Sequence, residues 1–270
     1  MRTELAVQSG FANTADARLY YELAGAGEPL VLLHGFGLDR RMWDAQFEVF
    51  ARSYLVVRYD LRGYGKSSLP DRQPYTHAGD LRLLLDKLGI SDAHVIGMSK
   101  GGWIATNFTL NYPEYVRSLV LVGSALIGYH WSTEWSQRWD QIVETARLQG
   151  IAAAKQRWLE HPIFASACKN PSIAARLAEI FASYSGWHWV NKDLHRSIIP
   201  PDIDRLGEIR RRTLILLGER DLPDFHSIAS ILHEKIAASI LVTLPRAGHL
   251  ENMESPERFN EELIEFLRSV

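Results

Sequence analysis

The chain has 270 residues, of which 46% are hydrophobic and 23% charged, and its formal net charge is −2 at pH 7. These proportions predict a globular protein that buries a full core, and they exclude a general electrostatic attraction to nucleic acid or to an anionic membrane. The single cysteine, Cys168, has no partner for an intramolecular disulfide, and no Cys/His metal spacing occurs. No secretory or membrane-spanning stretch is found either, so we expect a cytoplasmic protein without a bound metal.

Short apolar runs alternate with helical patterns in the first half of the chain. Two N-terminal runs, about residues 4–9 and 18–23, have no helix between them and predict an antiparallel hairpin at a sheet edge. The strands and helices that follow are predicted at 29–35 (strand), 42–51 (helix), 54–60 (strand), 77–89 (helix), 94–99 (strand), 100–113 (helix) and 116–123 (strand). This alternation predicts right-handed crossovers and a mostly parallel sheet.

The pattern changes between residues 126 and 207, where helical periodicity dominates and six of the eight tryptophans lie. Strand patterns return at 213–221 and 239–245, and a final helix is predicted at 255–270. We therefore expect an α/β core made of residues 1–125 and 208–270, with residues 126–207 inserted into it as a helical cap.

The hexapeptide GMSKGG (97–102) lies between a predicted strand and a predicted helix. That context is required of a G-x-S-x-G nucleophile elbow, in which a sharp turn exposes the serine, here Ser99, at the sheet edge. A serine hydroxyl needs a base to activate it and an acid to orient the base. His249 and Asp221 each follow a predicted strand and would emerge at the same edge. Asp224 is the alternative to Asp221 as the orienting acid.

Backbone N–H groups beside the serine can hold the negative charge that develops on an attacked carbonyl oxygen. The N–H of Lys100, at the start of the helix, is one candidate donor, and the helix dipole adds to its effect. The N–H of Phe36, in the HGFG loop (34–37), is the other. His34 is expected to make a structural hydrogen bond in this loop and, together with Gly35, to border the substrate pocket.

Five motifs occur in order along the chain: HGFG (34–37), DLRGYGKSS (60–68), GMSKGG (97–102), GERD (218–221) and GHLENMESPERF (248–259). With them the chain resembles the α/β-hydrolases, in the branch of small cap-bearing serine hydrolases that includes carboxylesterases, enol-lactonases, perhydrolase relatives and carbon–carbon bond hydrolases. The resemblance implies an α/β-hydrolase fold with a mostly parallel eight-stranded sheet, no cofactor, and a Ser99–His249–Asp221 triad. It does not extend to the cap.

Tryptophans of the cap are candidates for the pocket wall. Trp131 and Trp135 belong to a series spaced by four residues, which predicts one helical face, and Trp187 and Trp189 lie further along. A tryptophan stripe is also explained by packing of the cap against the core. Both roles remain open for these rings.

The sequence thus predicts a cofactor-independent serine hydrolase acting on a small carboxylic ester or lactone with an apolar or aromatic portion. One alternative is a carbon–carbon bond hydrolase of a ring-cleavage diketone. Members of that group often carry asparagine where this chain has Met98. The other alternative is a non-catalytic module that binds a small ligand on the same fold. The sequence is compatible with a homodimer.

The side chain of Lys100 is not required by the elbow. A cation at a helix N-terminus opposes the helix dipole at a cost of up to about 1 kcal/mol when it is exposed. We expect the ammonium to turn away toward a carboxylate or a carbonyl oxygen. The alternative hypothesis is that it faces the pocket and binds an acidic substrate.

Overall fold

The computed structural model describes residues 5–270 apart from 15, 72, 197 and 198. Within this part of the chain, eight strands form a single sheet. Their bounds are β1 Val7–Asn13, β2 Arg18–Ala24, β3 Pro29–Leu33, β4 Leu55–Tyr59, β5 Ala93–Met98, β6 Val116–Val122, β7 Thr213–Gly218 and β8 Ser239–Leu244. The predicted mostly parallel eight-stranded sheet is confirmed.

The strand order across the sheet is β1-β2-β4-β3-β5-β6-β7-β8. β1 pairs antiparallel with β2 and β2 antiparallel with β4, whereas every other neighbouring pair is parallel. The N-terminal hairpin therefore lies at one edge, as predicted. Its first strand spans residues 7–13, and residue 4 of the predicted run 4–9 lies outside the described residues. Because most side chains of this strand are exposed, hydrophobic periodicity marks it poorly.

Helices connect the parallel strands and cover the sheet. The α-helices are α1 Asp44–Phe50, α2 His77–Leu88, α3 Lys100–Asn111, α4 Thr133–Gln149, α5 Ile151–Leu159, α6 Pro171–Ser183, α7 Trp187–Val190, α8 Asp202–Arg205, α9 Pro223–Lys235, α10 Glu251–Glu254 and α11 Pro256–Leu267. Five short 3-10 helices lie at Arg40–Trp43, Pro113–Tyr115, Pro162–Phe164, Ala167–Lys169 and Leu206–Glu208. None of the helices in the described ranges is long and apolar enough to cross a membrane.

Local sequence explains where the helices begin and end. α2 starts after Thr76, whose hydroxyl accepts a hydrogen bond from the Gly79 N–H, and it stops at Gly89 in the left-handed region, with φ of 69°. α11 carries Pro256 in its first turn, where a missing N–H costs nothing. Strands β5 and β7 are buried along their whole length, as expected of parallel strands covered on both faces.

The segment from 126 to 207, called the cap segment below, joins β6 to β7. Its described residues contain helices α4 to α8 and no strand, and one isolated bridge links His195 to Tyr75. The division of the chain into a core and a cap remains a prediction. The helical content of the described part of the cap segment agrees with the pattern read from the sequence.

Candidate active site

Ser99 occupies a strained turn between β5 and α3. Its φ is +52° and its ψ is −113°, a backbone conformation that residues other than glycine rarely adopt. The turn is tight enough to demand glycine on both sides: a Cβ on Gly97 would lie 2.1 Å from the Gly101 carbonyl oxygen, and one on Gly101 would lie 2.3 Å from the Leu33 carbonyl oxygen. These contacts are the physical reason for the G-x-S-x-G spacing.

His249 and Asp221 form a buried pair. His249 Nδ1 lies 2.8 Å from Asp221 Oδ2, and the Leu222 N–H donates to the other carboxylate oxygen at 2.7 Å. His249 Nε2 is buried and has no hydrogen-bond partner within the described part of the chain. Because the carboxylate accepts the proton on Nδ1, Nε2 is left with its lone pair and can accept a proton. The Phe225 ring packs on the imidazole with centroids 4.2 Å apart.

Asp224, the alternative acid, has different partners. It accepts hydrogen bonds from the Ser132 N–H at 3.0 Å, the Ser132 hydroxyl at 2.7 Å and the Tyr129 hydroxyl at 3.1 Å. It therefore ties the start of the cap segment to α9. The structure places Asp221, not Asp224, beside His249.

Two backbone donors lie free near Ser99. Within the described residues, neither the Phe36 N–H nor the Lys100 N–H donates to a protein acceptor. The loop that holds Phe36 runs against the serine, since a Cβ on Gly35 would lie 3.4 Å from Ser99 Cβ. Free N–H groups in such a position can stabilise an oxyanion without reorganisation.

A cavity of about 530 Å³ opens beside Ser99 and His249, both of which line it. Its wall is largely aromatic. The aromatic side chains are Phe36, Trp103, Trp131, Trp135, Trp139, Trp158, Phe164 and Phe225. Its charged and histidine side chains besides His249 are Lys100, Asp140, His188 and Asp193. In the described ranges, no group of three or more His, Cys, Asp or Glu side chains is placed to hold a metal ion.

Three of the six residues predicted for the pocket line this cavity, namely Gly35, Trp131 and Trp135. Trp131 does so from the loop before α4, because that helix begins at Thr133 with Ser132 as its N-cap, so the spacing of four does not place it on the helix. Its ring still stacks on Trp135, with centroids 4.5 Å apart.

His34, Trp187 and Trp189 do not line the cavity. His34 is fully buried in the loop: its Nδ1 donates to the Gly35 carbonyl at 2.9 Å and its Nε2 accepts the Leu61 N–H at 2.9 Å, so its structural role leaves no ring nitrogen for a ligand. Trp189 is buried against the Tyr184 ring at 5.0 Å, and Trp187 packs on the neighbouring His188 ring. Trp189 also packs on Phe36 of the HGFG loop, with ring centroids 6.2 Å apart, as packing of the cap against the core predicts, whereas Trp187 packs on its neighbour within the cap segment.

Lys100 lines the cavity, and its ammonium lies against aromatic rings. Its Nζ lies 4.7 Å from the Trp103 ring centroid and 5.5 Å from the Tyr64 ring centroid. The side chain forms no hydrogen bond and no ion pair within 4.0 Å among the described residues, although the residue is only 9% exposed. Burial lowers the pKa of this ammonium to about 8, against a smaller opposing effect of the Asp193 charge. The expected turn toward a carboxylate or carbonyl oxygen is therefore wrong, because aromatic faces take that place.

Glu251 was not among the predicted site residues, and it lies directly behind the His249–Asp221 pair. Its Oε1 accepts the Gly218 N–H at 3.0 Å, whereas its Oε2 is buried without a partner in the described part of the chain. Burial, reinforced by the nearby Asp221 charge, raises the pKa of this carboxyl well above its usual range. The only feature of the sequence that could have indicated a role for Glu251 at the site is its position two residues after His249.

Comparison with known proteins agrees with the fold. A family model described as alpha/beta hydrolase fold matches residues 28–256. A 2-hydroxy-6-oxo-6-phenylhexa-2,4-dienoate hydrolase of Comamonas testosteroni is 28% identical, over 94% of this chain and 92% of its own. A 3-oxoadipate enol-lactonase of Acinetobacter baylyi is 29% identical, over 91% of each chain. The solved structure of a malate-bound esterase from Thermogutta terrifontis superposes with a TM-score of 0.81 at 27% identity, over 97% of this chain and 98% of that one.

Proposed function

Since this chain belongs to the α/β-hydrolase fold family, we propose that it is a cofactor-independent serine hydrolase that cleaves small carboxylic esters or lactones. The observation that carries the proposal is the His249–Asp221 pair. Its free Nε2 is buried at the wall of the cavity that Ser99 also lines. A base with a fixed tautomer beside a strained serine is the arrangement that nucleophilic acyl transfer needs.

In the first half of the reaction, Ser99 Oγ attacks the substrate carbonyl carbon while His249 Nε2 takes the hydroxyl proton. The carbonyl oxygen becomes an oxyanion, which the N–H groups of Phe36 and Lys100 hold. Asp221 stabilises the imidazolium that forms. When the tetrahedral intermediate collapses, the bond to the leaving oxygen breaks and His249 donates its proton to that oxygen, which leaves as an alcohol.

In the second half, a water molecule attacks the acyl carbon on Ser99. His249 takes the proton of the water as the new bond forms, and it returns that proton to Ser99 Oγ as the acid leaves. With a lactone, the same two steps open the ring, because the leaving alcohol is part of the acyl chain. The products are one carboxylic acid and one alcohol, or one hydroxy acid.

The shape of the cavity supports a small substrate with an apolar or aromatic portion. A volume of about 530 Å³ falls in the usual range for small-molecule sites, and aromatic walls favour apolar surface. The similarity to an esterase and to an enol-lactonase supports carboxylic esters and lactones as the substrates. The bond that is cleaved then lies beside Ser99, where the wall of the cavity is polar.

Hydrolysis of a carbon–carbon bond in a ring-cleavage diketone is a second candidate, favoured by the similarity to the dienoate hydrolase of Comamonas testosteroni. In that reaction a carbon atom, not an oxygen, receives the proton when the bond breaks. Bleaching of a dienoate chromophore by this protein, without turnover of esters, would favour the second candidate over the first.

The test is hydrolysis of a panel of nitrophenyl esters and lactones by the native chain, by Ser99→Ala and by Ser124→Ala. Ser124 is a matched control, since it is a buried serine near the elbow whose hydroxyl donates to the Ala125 carbonyl. We expect Ser99→Ala to lower kcat by roughly a millionfold, the loss typical of a removed triad serine. Ser124→Ala should retain most of the activity.

Full turnover by Ser99→Ala would overturn the mechanism. No turnover of any ester, lactone or dienoate by the folded native chain would favour a module that binds a small ligand without cleaving it.

A further inference from the structure

Among the residues that the structure describes, no counter-ion contacts the buried ammonium of Lys100. Removal of a cation from water is costly unless an opposite charge or hydrogen-bond acceptors replace the lost hydration. Here the faces of Trp103 and Tyr64 replace part of it. No acceptor within the described residues takes a hydrogen bond from Nζ, and Lys100 lines the cavity, so its ammonium protons remain available to a ligand.

The nearest carboxylate, Asp193, is held by other groups. Its Oδ1 accepts the Tyr75 hydroxyl at 2.9 Å and the His195 N–H at 3.0 Å, and its Oδ2 lies 3.9 Å from His188 Nε2. It lines the cavity but lies beyond 4.0 Å from the Lys100 ammonium, where the two charges interact only at a distance. Asp193 therefore favours the charged form of Lys100 from a distance but forms no direct ion pair with it.

The histidines around Lys100 add no positive charge. Burial lowers the pKa of His188 to about 2 and that of His195 to about 4, and it lowers the pKa of His77 well below its usual range. They are neutral near pH 7. Within the described residues that line the cavity, Lys100 is the only lysine or arginine. Any anion that enters the cavity has this single cation to bind.

The surroundings of Lys100 and of His249 are different parts of the cavity wall. His249 packs on Phe225, which in turn contacts Trp131 and Trp135. Lys100 instead lies against Trp103. Because His249 must protonate the leaving oxygen in the proposed mechanism, we assign the leaving group to the Phe225 side of the wall and the acyl chain to the Lys100 side.

We propose that the Lys100 ammonium binds an anionic group, such as a carboxylate, on the acyl portion of the substrate. The preferred substrates are then half-esters of dicarboxylic acids or lactones that bear a carboxylate on the acyl chain. This inference rests on the proposed function for its substrate class, but the anion site itself can be measured without turnover.

Binding is tested first, by calorimetric titration with phenylbutyrate and with its neutral analogue phenylbutyramide. The proteins are the native chain, Lys100→Met and Lys192→Met. Lys192→Met is the control, because it removes the same charge from an exposed position next to Asp193. We expect the preference for the carboxylate over the amide to fall by about ten- to a hundredfold in Lys100→Met, the range for a charged hydrogen bond. Lys192→Met should keep the native preference.

Turnover is tested with two matched pairs of esters. Monomethyl adipate against methyl hexanoate places the anion on the acyl side, and acetoxypentanoate against pentyl acetate places it on the leaving side. We expect kcat/KM to favour the first anion and not the second, and Lys100→Met to reduce that preference by the same factor as in binding. Lys100→Gln replaces the methionine variant if the latter does not fold, as judged by circular dichroism.

The outcomes separate the two proposals. Equal binding of phenylbutyrate and phenylbutyramide by the native chain, or a preference that Lys100→Met leaves intact, would overturn the anion site. A preference for the anionic leaving group would overturn its assignment to the acyl side. If no ester is cleaved but the carboxylate still binds through Lys100, the proposed function fails while the anion site stands.

Discussion

Oδ2 of Asp221 lies 2.8 Å from Nδ1 of His249. Asp221 belongs to the turn that follows strand β7. Its contact with His249 fixes the proton on Nδ1 and leaves the Nε2 lone pair free to accept a proton. We therefore expect Asp221→Asn to lower kcat by about 10⁴-fold, the effect of forcing the wrong histidine tautomer in a serine triad. Steady-state kinetics on a nitrophenyl ester measure it.

Asp224→Asn is the control for that variant, because it makes the same change three residues away, at a side chain that bonds Ser132 and Tyr129 instead. We expect it to cost less than about tenfold in kcat, since it loosens a cap contact without touching His249. Equal losses in the two variants would show that the choice of acid is wrong.

Gly97→Ala should destabilise the fold as well as the site. The added Cβ would lie 2.1 Å from a backbone oxygen, so the elbow must shift, at a cost of about 1–3 kcal/mol or more. Gly207→Ala is its control, since a Cβ there meets no atom within 4 Å, and it should change stability by less than about 0.5 kcal/mol. Urea unfolding compares the two, and equal stabilities would contradict the tight-turn explanation.

Glu251 is expected to make the protein less stable as pH rises. Its pKa is raised above the unfolded value of 4.5, so the folded state keeps the proton that the unfolded state releases. The stability that this carboxyl provides is thus present below about pH 4.5 and is lost as pH rises toward its folded pKa.

Glu251→Gln retains the acceptor for the Gly218 N–H but cannot ionise. We expect the stability of this variant relative to the native chain to increase between pH 5 and pH 8, by roughly 1.4 kcal/mol for each pH unit in which only the unfolded carboxyl is ionised. Urea unfolding at the two pH values measures it, with the exposed Glu265→Gln as the control for loss of one charge. A constant difference from the native chain at both pH values would contradict a buried neutral Glu251.

The binding of phenylbutyrate by the native chain should weaken above about pH 8. The ammonium of Lys100 has a pKa lowered to about 8, so an increasing share of the free protein loses the charge as pH rises, and affinity falls toward about tenfold per pH unit. The other titratable groups that face it are His34, Tyr64, His77, His188, Asp193 and His195.

These neighbours do not produce the same change. The four histidines have lowered pKa values and are neutral throughout the range, and burial raises the pKa of Tyr64 well above 10. Titrations with phenylbutyrate and phenylbutyramide between pH 6.5 and pH 9.5 measure the effect. An affinity for phenylbutyrate that stays constant over this range would contradict the assignment to Lys100.

The sheet could be predicted from the sequence because its strands are short, apolar and separated by helices. Predicted and observed strands differ by one or two residues at most positions, for example 94–99 against Ala93–Met98. The positions of Asp221 and His249 at one edge follow from the same alternation, since both come after parallel strands. Asp224 differs from Asp221 only in how the turn is folded, which strand patterns do not encode.

The cavity wall could be predicted only in part, because it depends on how the cap segment packs. The spacing of Trp131 and Trp135 indicated a common surface but not that Trp131 precedes the helix. Nothing local distinguishes Trp187 and Trp189 from tryptophans that line a pocket. The sequence does not predict Glu251 because its environment depends on a hydrogen bond with Gly218, at the end of strand β7, which is distant along the chain.

Ser99 as the nucleophile is tested most directly by peptide-level mass spectrometry of the native chain after treatment with a fluorophosphonate. We expect one phosphonyl group, on Ser99, and no labelling of Ser99→Ala or of unmodified protein that is denatured before treatment. Loss of ester hydrolysis should follow the extent of labelling. A label on the adjacent Lys100, or full ester hydrolysis by a chain labelled completely at Ser99, would contradict a Ser99 nucleophile.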